Sequence, residues 1–388
     1  MKKSLLALLI VLLSATVLFA EVSVGGWGRA IVSPITQDGD ADGQDDLEAW
    51  AGTSWGGDPR VGFTLSAQSE DGMIGVQADV NVDCTSVGQG DQQKIWAKPN
   101  DMFTVVIGRA YEDTLRGNGA FGGFNWIRQY GNAWTGEDFI FARARTDATG
   151  SYGSMLILDV EGLHAVASFA GMDLASGDSY DTDLTDDSDG DGDATNDADA
   201  TVGHTTETMF GNAQYQVGYN IDGVGLVRAQ VYSFADESGY YQAAFKLTSV
   251  DNLYLDFGVT VPQDSDYTEG GANYDATLNG YMNYGIDGGT IHALAIVSLT
   301  DSDYADAEDA EDIGFEVAAG LDYGIGEGLS LCTDVRYNKG ATADDGTISG
   351  TLGVTKGYSN GKIGVGVQGY NDGDETYFAV PVTLEYWF

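Results

Sequence analysis

Over much of its length this chain sets an apolar residue at every second position and a polar or charged one between. From Ala272 to Tyr284 one face would carry Ala272, Tyr274, Ala276, Leu278, Gly280, Met282 and Tyr284. The other would carry Asn273, Asp275, Thr277, Asn279, Tyr281 and Asn283. The same alternation runs through Ile74–Val82, Leu253–Val261 and Ile313–Tyr323, where Asp79, Asp256, Glu316 and Asp322 are interleaved. A helix would spread these apolar side chains around its circumference, whereas a strand gathers them on one face. Either two sheets bury such faces against each other, or one sheet closes and turns its apolar face to lipid.

Four features favour closure in a membrane. The apolar faces end in aromatics, Tyr274 with Tyr284 and Phe315 with Tyr323, as an interfacial girdle requires. Proline, which breaks a continuous ladder, is rare at 5 residues, while turn-forming glycine numbers 55. Connections alternate in length. Short turn-forming pairs (Asp71-Gly72, Asn100-Asp101, Asp251-Asn252, Asp287-Gly288 and Asn360-Gly361) fall on one side, and the long acidic stretches 33–57, 111–149, 172–206 and 301–311 on the other. Finally, Val380, Val382, Leu384, Tyr386 and Phe388 line one face of a last strand that ends on an aromatic. The expectation is an all-β, transmembrane antiparallel β-barrel of about 16–18 strands.

The N-terminus fits export. Lys2 and Lys3 precede an apolar run from Leu5 to Phe19, and Ala20 offers a small residue at the cut, so 1–20 reads as a signal peptide and 21–388 as the barrel. The run is short for a spanning helix, and no later segment is apolar enough to be one. The formal net charge of −43 argues against nucleic acid and for a solvated surface that attracts cations. Cys84 and Cys332 are the 2 cysteines, too few and too far apart for a disulfide scaffold, although export would permit a bridge.

The segment from Lys94 to Arg109 reads strand, turn, strand through Pro99, Asn100 and Asp101, and leads into 111–149, the third long-side connection. With the terminal aromatic strand, the mature chain resembles Gram-negative-type general porins. Its acidic, glycine-rich style is similar to that of spirochaete porin-like proteins. The resemblance implies an outer-membrane location, engagement of the barrel-assembly machinery by the C-terminal strand, contact with outer-membrane lipids, and a homotrimer. It also implies that loop 111–149 folds inward, and that small hydrophilic solutes and ions diffuse passively through the lumen.

If the apolar faces meet lipid, the interleaved side chains line a lumen: Arg29, Asp79, Lys94, Lys98, Arg228, Lys246, Asp256, Asp275, Glu316, Asp322, Asp334 and Arg336. Charges unpaired in a dry core cost several kcal/mol each, so a wet channel that keeps them hydrated is expected. A loop-plugged lumen is the alternative. Within 111–149, Glu112, Asp113, Glu137 and Asp138 accompany Arg116, Arg128, Arg143 and Arg145. Acids and bases facing each other across a constriction would set a transverse field and an ion preference, here for cations; on a solvated loop they would do neither.

Asp38, Asp40 and Asp42, and again Asp187, Asp189 and Asp191, place oxygen donors at alternate positions before Gly43 and Gly192, like the first half of a calcium loop. Ala49 and Ala198 stand where the bidentate glutamate belongs, so self-repelling acidic loops, with calcium held only loosely, are expected. Enzyme chemistry has little support: the histidines are His164, His204 and His292, and no Gly-x-Ser-x-Gly motif stands in a suitable context. A surface-exposed adhesin or calcium-binding barrel without an open pore is the alternative function.

Overall fold

The computed structural model describes residues 20–39, 45–52, 59–84, 86–116, 144–145, 153–169, 213–232, 240–263, 268–269, 272–300, 313–341, 345–371 and 376–388. Among them no helix is long and apolar enough to cross a membrane, and the fold is entirely β. The main sheet joins 21 strand segments. Three of these, 45–52, 268–269 and 376–379, continue neighbouring strands at the long-loop end, which leaves a closed antiparallel barrel of 18 strands.

We number them β1 (Ala20–Gly39), β2 (Arg60–Ser69), β3 (Ile74–Asp83), β4 (Val87–Asn100), β5 (Phe103–Arg109) and β6 (Ser154–Val160). Next come β7 (Leu163–Phe169), β8 (Gln214–Ile221), β9 (Gly225–Tyr232), β10 (Tyr240–Leu247), β11 (Leu253–Pro262) and β12 (Ala272–Ile286). The wall finishes with β13 (Gly289–Thr300), β14 (Ile313–Gly326), β15 (Leu329–Lys339), β16 (Thr347–Tyr358), β17 (Gly361–Asn371) and β18 (Thr376–Ala379 with Val382–Trp387). Proline 381 interrupts the last strand at the position where a donor is missing.

Each strand pairs with the next, and β1 pairs with β18 from Trp27↔Trp387 to Val32↔Val382. Gly26 and Phe388 exchange backbone hydrogen bonds at 2.9 and 3.0 Å at the foot of this seam. Short turns gather at one rim. At Glu161-Gly162 and Glu327-Gly328 both residues have positive φ, the type I′ geometry whose twist matches the flanking strands. At the Glu70–Gly72 turn, the Ser69 hydroxyl and the Met73 N–H hold the Asp71 carboxyl below the usual carboxylate range.

The wall is inverted relative to a soluble protein. Val24, Ile95, Leu278, Val335, Leu352 and Val367 are exposed on its outer face, while Gln216, Gln230, Asn279, Ser298, Thr351 and Gln368 are buried on its inner face. Tyr219, Tyr284, Tyr323, Tyr358 and Tyr386 stand exposed at the short-turn ends of β8, β12, β14, β16 and β18, forming the expected girdle. One stretch departs from the sequence reading. The connection 33–57 is partly ladder, because β1 runs on to Gly39 and pairs with 45–52 through Thr36↔Glu48 and Asp38↔Asp46. The sequence of this hairpin is acidic and lacks the apolar alternation that marks the other strands.

Phe388 closes the seam by packing as well as hydrogen bonding. Its ring lies over Gly26 and meets Phe63 edge-on at 5.7 Å and Tyr386 at 6.1 Å. A Cβ at Gly26 would stand 2.4 Å from the Gly62 carbonyl oxygen and 2.6 Å from Phe388 Cζ. Gly26→Ala is therefore expected to lower folded-barrel stability by about 2 kcal/mol, the scale of overpacking. Gly28→Ala, whose Cβ would first meet Val61 Cγ2 at 3.8 Å, should be neutral. Urea unfolding in detergent micelles, followed by heat-modifiable gel mobility, compares the two.

Candidate functional site

Among the described residues the interleaved polar side chains converge on the barrel interior, and strand parity puts them there. At the β1–β18 seam, Arg29 Nε lies 2.5 Å from Glu385 Oε1, and Lys362 Nζ lies 3.1 Å from Glu385 Oε2. Arg29 also covers the Trp27 ring at 5.4 Å. On β3 and β4, Asp79 accepts from Gln77 Nε2 at 3.0 Å and from the Gln92 N–H at 3.1 Å. Lys94 faces the same region, where the carboxylates acting on it are Glu112, Asp79 and Asp113. Lys98, farther down β4, belongs to the short-turn half, where its N–H donates to Met73 O at 2.7 Å.

The charges farther round the wall were expected to be hydrated, and here the structure corrects the sequence. Arg228, Asp256, Glu316, Asp334 and Arg336 expose only 1, 0, 0, 1 and 2% of their surface. They survive enclosure by pairing. Arg228 Nη2 bonds Asp256 Oδ1, and Tyr254 Oη donates to Asp256 Oδ2 at 2.9 Å. Arg336 lies 3.5 Å from Asp334 and 3.9 Å from Glu316. Lys246 sits over the Tyr254 ring at 4.8 Å. Asp275 is exposed, in the bulge where β12 slips its register between Tyr274 and Ala276.

Of the loop residues, Glu112, Asp113 and Arg116 are described. They form a turn in which Arg116 N–H donates to Asp113 O at 3.1 Å and Thr114 N–H to Glu112 Oε1 at 2.6 Å. Arg145 pairs with Tyr111 in a two-residue ladder. Arg128, Glu137, Asp138 and Arg143 lie outside the described residues, as do Asp40, Asp42, Asp187, Asp189 and Asp191. Asp38 stands in the β1 hairpin opposite Asp46. Among the described residues no three metal-binding side chains gather. Cys84 and Cys332 are both free.

Two interior arrangements escaped the sequence reading. His292, on β13, bonds Asn283 Oδ1 through Nδ1 and lies 3.0 Å from Asp322 Oδ2 through Nε2, bridging β12 and β14. Only the finished register makes the three neighbours. On the same inner face, apolar side chains interrupt the polar ones: Tyr281, Leu294, Ile296 and Ala318 form one cluster, and Val106, Met155, Ile157 and Val166 another. His164 Nδ1 lies 2.6 Å from Asp159, but Ser168 on the same face of β7 is about 13 Å further along an extended strand, out of reach of a nucleophile pair.

The chain is a closed antiparallel barrel of 18 strands, apolar outside and polar within, the arrangement of a transmembrane β-barrel. Solved structures with similar folds include a loop-deletion mutant of OmpT, an outer membrane protein of Vibrio cholerae, at 11% identity and a TM-score of 0.49 over 95% of this chain and 99% of that one. A mutant of Rh. blastica porin matches at 12% identity and a TM-score of 0.49, over 95% of this chain and 100% of that one. No protein-family model matches the chain. No curated protein matches it either.

Arg336 is the common partner of two enclosed carboxylates. Arg336→Met should cost about 3 kcal/mol, the scale for breaking a buried pair by removing one member. Combining it with Glu316→Gln and Asp334→Asn should recover most of that loss. Urea midpoints of the two variants in micelles decide the point.

Proposed function

We propose that this protein is an outer-membrane porin through which small hydrophilic solutes and ions diffuse passively, with a preference for cations. What supports the reading is a polar inner wall in a barrel of 18 strands, a strand number at which wall side chains alone no longer fill the interior. Its orientation follows from the rims: short turns face the periplasm and the long acidic connections face outward. An N-terminal signal peptide over 1–20 and assembly through the C-terminal strand accompany this route. The reading needs no cofactor and no catalytic residue.

Cation preference has a local basis as well as a global one. Glu112, Asp113 and Asp79 all act electrostatically on Lys94 at the root of the long third loop. Arg116 belongs to the same turn, and with Arg128, Glu137, Asp138, Arg143 and Arg145 it would complete a constriction.

Three copies would assemble through β1–β4. Outward residues of β1 (Val24, Gly26, Gly28, Ala30) alternate with the interior Trp27, Arg29 and Ile31, and β3 presents Ile74, Val76 and Ala78. Apart from Phe63 and the Phe388 ring over Gly26, this face is small and aliphatic, and among the described residues it lacks the tyrosine girdle found from β8 to β18. It also carries Gln93 opposite Ala78, a polar group better placed against protein than lipid.

Planar-bilayer recording in a salt gradient tests the function. A stepwise conductance with a cation-favouring reversal potential is expected, and no conductance at all would overturn the reading. Neutralising Glu112 and Asp113 should lower the cation preference, and neutralising Arg116 and Arg128 should raise it. Unchanged selectivity in both would remove the loop from the pore.

A further inference from the structure

Two tryptophans stand on the inner wall of the β1–β4 sector, and each lies against a glycine of the neighbouring strand. A Cβ at Gly62 would stand 2.6 Å from Trp27 Cε2, and a Cβ at Gly75 would stand 2.6 Å from Trp96 Cε2 and Cη2. Both indoles rest on the wall because no side chain is there to lift them. They differ in what covers the other side. Arg29 stands over the Trp27 ring at 5.4 Å, so the protein itself occupies that platform. Trp96 is half-exposed, and its ring packs at one edge with Val106 and the apolar residues around it. Among the described residues no cation, second ring or hydrogen-bond partner engages its side chain. An indole offers an apolar face and one N–H donor. Here neither is taken up by the wall.

Beside this ring is a cavity of about 160 Å³, lined by Ser23, Ser66, Ala67, Gln68 and Trp96. Strand register assembles it: Trp96 pairs with Gly75, Gly75 with Gln68, and Ser66 with Ser23. The two serine hydroxyls share a hydrogen bond at 2.6 Å. Whichever of them donates, the pair keeps one hydroxyl hydrogen and several lone pairs for a solute, and an amide brings both donors and an acceptor. No charged side chain lines the cavity. Its volume is below the roughly 300 Å³ at which pockets for drug-sized ligands begin, so the fit is to one ring and not to a chain.

We propose that Trp96, Ser23, Ser66 and Gln68 form a subsite in the lumen for the ring of a neutral sugar. A pyranose lays its C–H face on the indole and turns the hydroxyls at its edge toward the serines and the amide. A small ion gains nothing from an uncharged cavity. An open-chain polyol has the hydroxyls without a flat apolar face, and an aromatic solute has the face but leaves the polar groups to water. The inference rests on the pore reading for the solute's route to the site, whereas binding itself requires no conduction.

Saturation-transfer NMR with methyl glucopyranoside, titrated against the folded full-length barrel in micelles, tests the subsite. Wild type should bind the sugar, with the strongest transfer to ring C–H protons. Trp96→Ala should weaken binding about tenfold, the scale of one aromatic contact. Trp96→Phe, which keeps a smaller ring without the N–H, and the paired change Ser23→Ala with Ser66→Ala should each cost about threefold. Trp27→Phe should change nothing, because Arg29 already covers that ring. Sorbitol, an open-chain polyol, should bind wild type about tenfold more weakly than the pyranoside. Heat-modifiable mobility establishes that each variant is folded; if Trp96→Ala is not, Trp96→Phe and the serine pair decide. No sugar binding by wild type, binding indifferent to the Trp96 and serine changes, or equal binding of sorbitol would each overturn the subsite. Trp96-dependent binding in a barrel that never conducts would keep the subsite and reject the pore.

Discussion

Everything in this fold depends on closing the backbone ladder. In hydrocarbon an unpaired N–H or C=O costs several kcal/mol, and an open sheet would present two rows of them. The pairing of β1 with β18 removes both rows at once. That is why Gly26 matters more than its size suggests: it lets the Phe388 ring lie flat across the seam while its own backbone bonds to the last residue. Once the edges are gone, the exterior must be apolar and the interior inherits every other side chain.

The interior then faces a second problem, since half of each strand points into a space that is neither bulk water nor a hydrophobic core. The wall solves it by cross-strand pairing. Gln216 reaches Gln230 at 2.9 Å, Gln242 reaches Thr260 at 3.0 Å, and Thr277 meets Ser298 at 3.1 Å. Charges follow the same rule in the Arg29–Glu385–Lys362 and Arg228–Asp256 groups. Such pairs gain little over an apolar packing of the same volume, but breaking one leaves an enclosed charge. They consequently specify register: a one-residue slip would separate every partner and turn each charge toward lipid.

The wall was legible in the sequence because period two leaves a local signature. Tyr284 and Tyr323 stand at the rim their positions implied, and the Asp287-Gly288 and Asn252 turns sit where turn chemistry placed them. The hairpin opposite 45–52 was illegible because its acidic sequence carries no apolar alternation. The enclosure of Glu316 and Arg336 was illegible for a different reason: alternation says which side of the wall a residue takes, and nothing about what covers that side. Leu115 lay deeper still. A single leucine in an acidic loop carries no periodicity, and its hole is assembled from Gly218, Leu226 and Ala244 on three strands.

This division bears on where ion preference can reside. In the described wall Arg29, Arg228, Arg336 and Lys362 have carboxylate partners within 4 Å, so these pairs add little to the field of a chain whose formal charge is −43. The surplus acid belongs largely to the sequences 33–57, 172–206 and 301–311, which join strands at the long-loop rim. Charges in solvent at a rim are screened within about 10 Å at 0.1 M salt. Glu112, Asp113 and Lys94 act inside the wall, where screening is weaker. A rim field raises the local concentration of cations at the entrance and fades with salt, whereas a field at the root of the inward segment acts on each ion as it passes. The two are separable in kind, because raising the salt concentration weakens the first more than the second.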